Sequence, residues 1–165
     1  MTNTLSIRFV DTPAERPRWR VTYDRRFNDR LIWGFEFNPA AEEVNWLRGN
    51  YDLLKETDRL PLVSLGVSSD RIYSEVGTLA YYATIAKTIP NSPVSPYFSI
   101  NYSENDRKWG VPVGATIDVA QRIKLVLLND GKLSHGLLTY TASDWWTTVG
   151  TVGFSRMMIA FGFAW

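Results

Sequence analysis

Met157-Met158-Ile159-Ala160-Phe161-Gly162-Phe163-Ala164-Trp165 ends the chain, and its alternation decides how the rest is read. Successive side chains of an extended strand point to opposite faces, so Met157, Ile159, Phe161, Phe163 and Trp165 share one side. Met158, Ala160, Gly162 and Ala164 share the other. A soluble sheet turns its bulky face inward and wets the opposite one with polar groups. Here the opposite face is too small and bare to serve as a wetted surface, so the pattern calls for a bilayer against the bulky face.

Upstream the same two-residue period recurs. In residues 109–119, Trp109, Val111, Val113, Ala115, Ile117 and Val119 oppose Gly110, Pro112, Gly114, Thr116 and Asp118. In residues 94–103, Val94, Pro96, Phe98, Ile100 and Tyr102 oppose Ser95, Tyr97, Ser99, Asn101 and Ser103. Leu31, Trp33, Phe35 and Phe37 face away from Ile32, Gly34, Glu36 and Asn38, and Trp19, Val21 and Tyr23 face away from Arg18, Arg20, Thr22 and Asp24. Residues 63–68, 79–85 and 122–127 alternate likewise. No stretch sustains a helical period beyond two turns, so the fold class is all-β. Turn-forming residues separate the segments, and Asn129-Asp130-Gly131 is the strongest hairpin signal.

Ten strands are clear on this reading, and residues 5–9 and 47–55 bring the expectation to twelve. Residues 145–154 show no clean face, since Val149 and Val152 have opposite parity. Residues 40–44 read as a loop or a short helical turn. Pro61, Pro96 and Pro112 each remove a ladder donor and call for a bulge or a strand end.

The final Phe161, Phe163 and Trp165 resemble the C-terminal insertion signal of bacterial outer-membrane β-barrel proteins. That resemblance implies a closed antiparallel up-and-down transmembrane barrel spanning residues 1–165 as one domain, with the lipid bilayer, and candidate envelope proteins, as partners. It also implies location in the bacterial outer membrane. Residues 1–4 lack a basic segment followed by an apolar one, so either a secretory signal has been removed or the chain stays in the cytosol. The terminal strand favours the first.

Composition agrees with a barrel. Of 165 residues 45% are apolar, yet the mean hydropathy is slightly negative, and no run approaches the roughly 18 apolar residues of a spanning helix. Strands cross a membrane with such an average because every second residue faces the lumen. A net charge of +1 with interspersed signs gives no nucleic-acid footprint. The chain has no cysteine, which removes disulfides and thiolate metal sites together. No cofactor and no metal are implied, and Glu42-Glu43 reads as a solvated loop pair.

Two faces then carry the functional expectations. Trp19, Trp33, Trp109, Phe161, Phe163 and Trp165 are expected to face lipid, with Tyr102, Trp145 and Trp146 completing aromatic girdles at the headgroups. Arg18, Arg20, Asp24, Glu36, Asp118, Arg122 and Lys124 are expected to line a narrow polar pore, on a face shared with Arg8, Arg26, Arg48 and Asp52. Two interiors are compatible with these charges: a water path with a weak preference for anions, or ion pairs that hold the barrel shut. The functions that follow are a pore for ions or small solutes, or a non-conducting structural or partner-docking barrel. A soluble ligand-binding barrel would instead need its apolar faces turned inward. An outer-membrane lipid hydrolase would use His135, but Ser134 beside it faces the other way, so Ser99 or Ser155 would have to be recruited. The expectation is that the chain is not an enzyme.

Overall fold

A computed structural model of the chain describes residues 2–165. Its strands are β1 (Thr2–Val10), β2 (Trp19–Arg26), β3 (Leu31–Asn38), β4 (Glu43–Leu54), β5 (Leu62–Ser69), β6 (Leu79–Ala86) and β7 (Val94–Ser103). They continue as β8 (Lys108–Gly110), β9 (Val113–Ala120), β10 (Ile123–Asn129), β11 (Ser134–Thr141), β12 (Trp145–Val152) and β13 (Arg156–Ala164). Every neighbouring pair is antiparallel. β8 and β9 both pair with β7 and fill one place in the wall, interrupted at Val111-Pro112. There the Ser99 N–H donates to the Pro112 carbonyl at 2.8 Å, so the wall stays continuous across a residue that has no donor of its own.

The result is a closed up-and-down barrel of twelve strands, as the alternation predicts. Closure runs between β1 and β13, from Thr4 opposite Ala164 to Val10 opposite Met158. Two further bonds tie Asn3 to Trp165, at 2.8 and 3.0 Å. The chain's last residue therefore zips the seam, leaving no open edge whose unpaired N–H and C=O groups would each cost several kcal/mol, roughly, in an apolar medium. The end of the barrel where residues 2 and 165 lie is the terminal end. The opposite, far end carries the longer turns 11–18 and 70–78.

The sidedness is inverted relative to a water-soluble fold. Only Val10, Ala80, Val152, Met158 and Ala160 form a buried apolar set among the described residues, whereas large apolar side chains are exposed on every strand of the wall. All six residues expected on the outer face are exposed there: Trp19, Trp33, Trp109, Phe161, Phe163 and Trp165, with Trp109 the most open at 71%. Outer rings also meet across strands, as Phe9 does with Trp19 and Tyr140 with Trp145.

Trp146 departs from the girdle expectation. It stands directly opposite Gly162 and lies over it inside the lumen, where a Cβ on that glycine would collide with the indole. Tyr82 covers Gly66 in the same way, and Tyr97 covers Gly114. An inward ring paired with an inward glycine lies against the wall and spares the lumen. Trp146 is thus the exception to outward tryptophans: its parity turns it inward, and a partner without a side chain gives its ring room there.

β4 begins four residues before the segment read from sequence. After a 3₁₀ turn at Pro39–Ala41 the strand starts at Glu43, and a register shift opposite Gly34 and Glu36 leaves Trp46 and Leu47 both outside. The extra residue breaks the two-residue period, which hid the first part of the strand.

Candidate functional site

The ion-paired groups that the wall turns inward gather on β2–β4, with Ser69 of β5 beside them. Glu36 of β3 is fully buried and sits at their centre. It accepts from Arg48 Nη1 at 2.7 Å, from Arg20 Nη1 at 3.3 Å, and from the Ser69 hydroxyl. Arg48 Nε reaches Asp24 Oδ1 at 2.9 Å. Towards the far end, Glu43 is held by Arg16 Nε at 2.8 Å, Asn38 Nδ2 at 2.7 Å and the Gly77 N–H at 2.7 Å. Asn38 Oδ1 in turn accepts from Arg20 Nε at 3.3 Å, so the two carboxylate clusters form one network. Buried carboxylates persist as anions only when paired and hydrogen-bonded in this way.

The turn at residues 70–78 lies over the far mouth. Asp70 accepts from the Ser103 hydroxyl at 2.5 Å and from the Asn105 N–H at 3.1 Å, while Arg71 pairs with Asp106. Lys132 Nζ meets the same Asp106 carboxylate at 2.5 Å. Lys132, Asn105 and Arg71 together pull that carboxyl down to about 2. Ile72 packs on Val10, Val152 and Met158, which belong to β1, β12 and β13 on the other side of the mouth. One turn thus bridges opposite walls by an apolar contact and is tied by charge to the neighbouring turns 104–107 and 130–133.

Beneath this turn lies a cavity of about 260 Å³. Arg8 and Arg20 line one side; Leu128, Leu137, Val152 and Met158 line another. His135 also borders it, with Nε2 3.1 Å from Asp130 Oδ2. Burial alone would raise the Asp130 carboxyl, but the His135 bond and the N–H groups of Leu133 and Lys132 outweigh it and hold the group below its ordinary value.

Of the residues expected to line a pore, Arg20, Asp24 and Glu36 meet in the luminal network. The other four lie elsewhere. Asp118 and Lys124 pair at 3.3 Å at the terminal-end rim with more than half of each side chain in solvent, and Arg122 is exposed in the turn between their strands. Their parity is inward, but the wall ends there. Arg18 bends back to the carbonyls of Thr12 and Pro13, each at 3.0 Å, and caps the 11–18 turn instead of lining the lumen. Glu43 is buried and paired, not a solvated loop residue. Arg16 was not legible as a luminal group, because it reaches Glu43 from the one-turn helix Glu15–Arg18, outside any alternating segment.

The serines considered as partners for His135 bond elsewhere: Ser99 Oγ to Thr84 Oγ1 at 2.6 Å, and Ser155 Oγ to the Val152 carbonyl at 3.5 Å. Comparison with protein-family models and with curated proteins finds no match to this chain.

Proposed function

We propose that this chain is an integral outer-membrane barrel whose lumen is shut at rest, a structural or partner-docking protein and not an open pore. The membrane part of the reading is carried by the inverted sidedness: bulky hydrocarbon on the outside of every strand and ion pairs within. Such an exterior in water would expose a continuous apolar belt far larger than the few hundred Å² that soluble monomers ordinarily show. The shut lumen is supported by the 70–78 turn, whose Ile72 contact joins opposite walls.

A gated narrow pore is the second reading. It is favoured by the inward rings of Tyr82, Tyr97 and Trp146, which lie over glycines of the wall. Planar-bilayer recording separates the two. The closed reading expects no stepwise current from the refolded, heat-modifiable protein, and expects current once residues 71–77 are replaced by a short Gly-Ser link. Stepwise current from the unaltered chain would replace the closed reading with the pore.

A further inference from the structure

Rings on the outer face meet in pairs on either side of the closing seam. Phe9 of β1 meets Trp19 of β2 with centroids 4.8 Å apart, and Phe161 of β13 stacks on Trp145 of β12 at 6.0 Å. Phe9 and Phe161 are diagonal neighbours across the β1–β13 ladder, since Phe9 stands opposite Ile159 and Phe161 opposite Ile7. With each ring paired on its own side, a groove of about 420 Å³ is left over the seam. Ile7, Phe9, Trp19, Thr147, Ile159 and Phe161 line it.

Thr147 keeps the groove open on the β12 side. Its outward neighbours are Trp145 and Val149 along the strand and Phe161 across the ladder, so it is the smallest outward side chain there. Its hydroxyl donates to the Ala160 carbonyl at 3.1 Å and so spends its proton on the wall itself. The lining holds no charged side chain, which excludes an ionic ligand within it.

In a bilayer, apolarity alone does not make a site, because acyl chains are as apolar as leucine and cover every outward side chain alike. Shape does: a chain lying in a groove touches protein on its floor and both flanks, and dispersion contacts add up with the number of atoms in reach. The lining residues of β1 and β13 lie from about mid-strand towards the far end, at the depth of chains that hang from the far-end leaflet. We infer that this groove retains a single acyl chain of a lipid from that leaflet, lying across the seam. The inference rests on the membrane reading above. The adjoining turns carry Asp11 and Glu15 against Arg18 and Arg156, with Arg16 spent on Glu43, so the rim selects no headgroup charge and the selection is by the chain. A chain touching β1, β2, β12 and β13 spans the strands on both sides of the closure and so helps to hold it.

The probe is palmitoyl-oleoyl phosphatidylglycerol, titrated onto the full-length barrel in octyl glucoside micelles and counted by native mass spectrometry. One lipid per chain is expected at saturation, with the phosphatidylethanolamine of the same chains bound equally and a dihexanoyl form bound about tenfold or more weakly. Thr147→Trp fills the groove from β12 and should weaken retention by about tenfold or more, while Leu65→Trp, on the exposed outer face of β5, should not change it. Ile7→Trp fills the groove from β1, which covers the case in which Thr147→Trp does not fold. Adducts that grow without saturating, a dihexanoyl form bound as well, or full retention after either groove-filling substitution would overturn the inference. A two-chain assembly without lipid would overturn it in favour of a second copy in the groove. Quenching of the outer tryptophans by chain-brominated lipid, with no lipid retained, would remove this site and keep the membrane reading; loss of both signals would remove both.

Discussion

The walls β2–β4 and β11–β13 present the same kind of exterior and opposite interiors. Outside, Trp33 and Phe37 on one and Phe161 and Ile159 on the other are comparably exposed apolar side chains. Inside, the first wall carries Arg20, Glu36 and Arg48, whereas the second carries Val152, Met158 and Ala160. The outer face is dictated by one solvent, while the lumen accepts either an ion-pair network or a dry contact, provided each is complete. The cavity lies where the two kinds of interior meet, lined by Arg20 of the first wall, Arg8 of β1, and Leu137, Val152 and Met158 of the second.

Substitutions at the centres of the two interiors should differ most. Glu36→Leu strands Arg20 as an uncompensated charge and leaves Arg48 with Asp24 alone, and should cost about 3–5 kcal/mol. Val152→Ala removes a small part of an apolar contact and should cost about 1–2 kcal/mol. Both are read as shifts in the urea midpoint of tryptophan fluorescence in micelles; equal costs would erase the contrast between the walls.

A smaller effect tests the ring-on-glycine packing. Gly162→Val puts a side chain into the Trp146 indole and should cost about 1–3 kcal/mol by overpacking. Combining it with Trp146→Ala should recover much of that loss. A double variant no more stable than Gly162→Val alone would mean that the ring is not what the glycine accommodates.

The smallest effect is at the turns over the far mouth. Because the Asp106 carboxyl sits at about 2 when folded, below its ordinary 3.8, its pairing contributes fully above the unfolded value. That contribution is lost as pH falls from about 4 through about 2. The acid-induced drop in the midpoint should therefore be shallower for Asp106→Asn than for the unaltered chain. Superimposable pH profiles would show that the Arg71–Asp106–Lys132 cluster adds nothing to the mouth.

The contrast between walls also explains what could be read in advance. β2 and β3 alternate between apolar and charged or small residues because their interior is polar, so both faces were legible in the sequence. β12 was not, because Val149 faces out and Val152 faces a dry interior, which makes both parities apolar. Adjacent Leu137 and Leu138 in β11 blur that strand for the same reason. Arg20, Asp24 and Glu36 were found by parity alone, but parity cannot tell a luminal position from a rim, and Asp118, Arg122 and Lys124 were misplaced by that. Arg16 and the 70–78 turn reach the lumen through tertiary contacts for which a strand period gives no signal.

The central assignment is that the apolar exterior meets acyl chains. Six of the seven tryptophans lie on that exterior, and only Trp146 is luminal, so a Trp146→Phe variant reports on the outer face alone. Its fluorescence should be quenched strongly when it is reconstituted in vesicles of chain-brominated phosphatidylcholine, and weakly by iodide in the surrounding water. Strong quenching by iodide with none from the brominated chains would show that water, not lipid, bathes those rings, and the membrane barrel would be wrong.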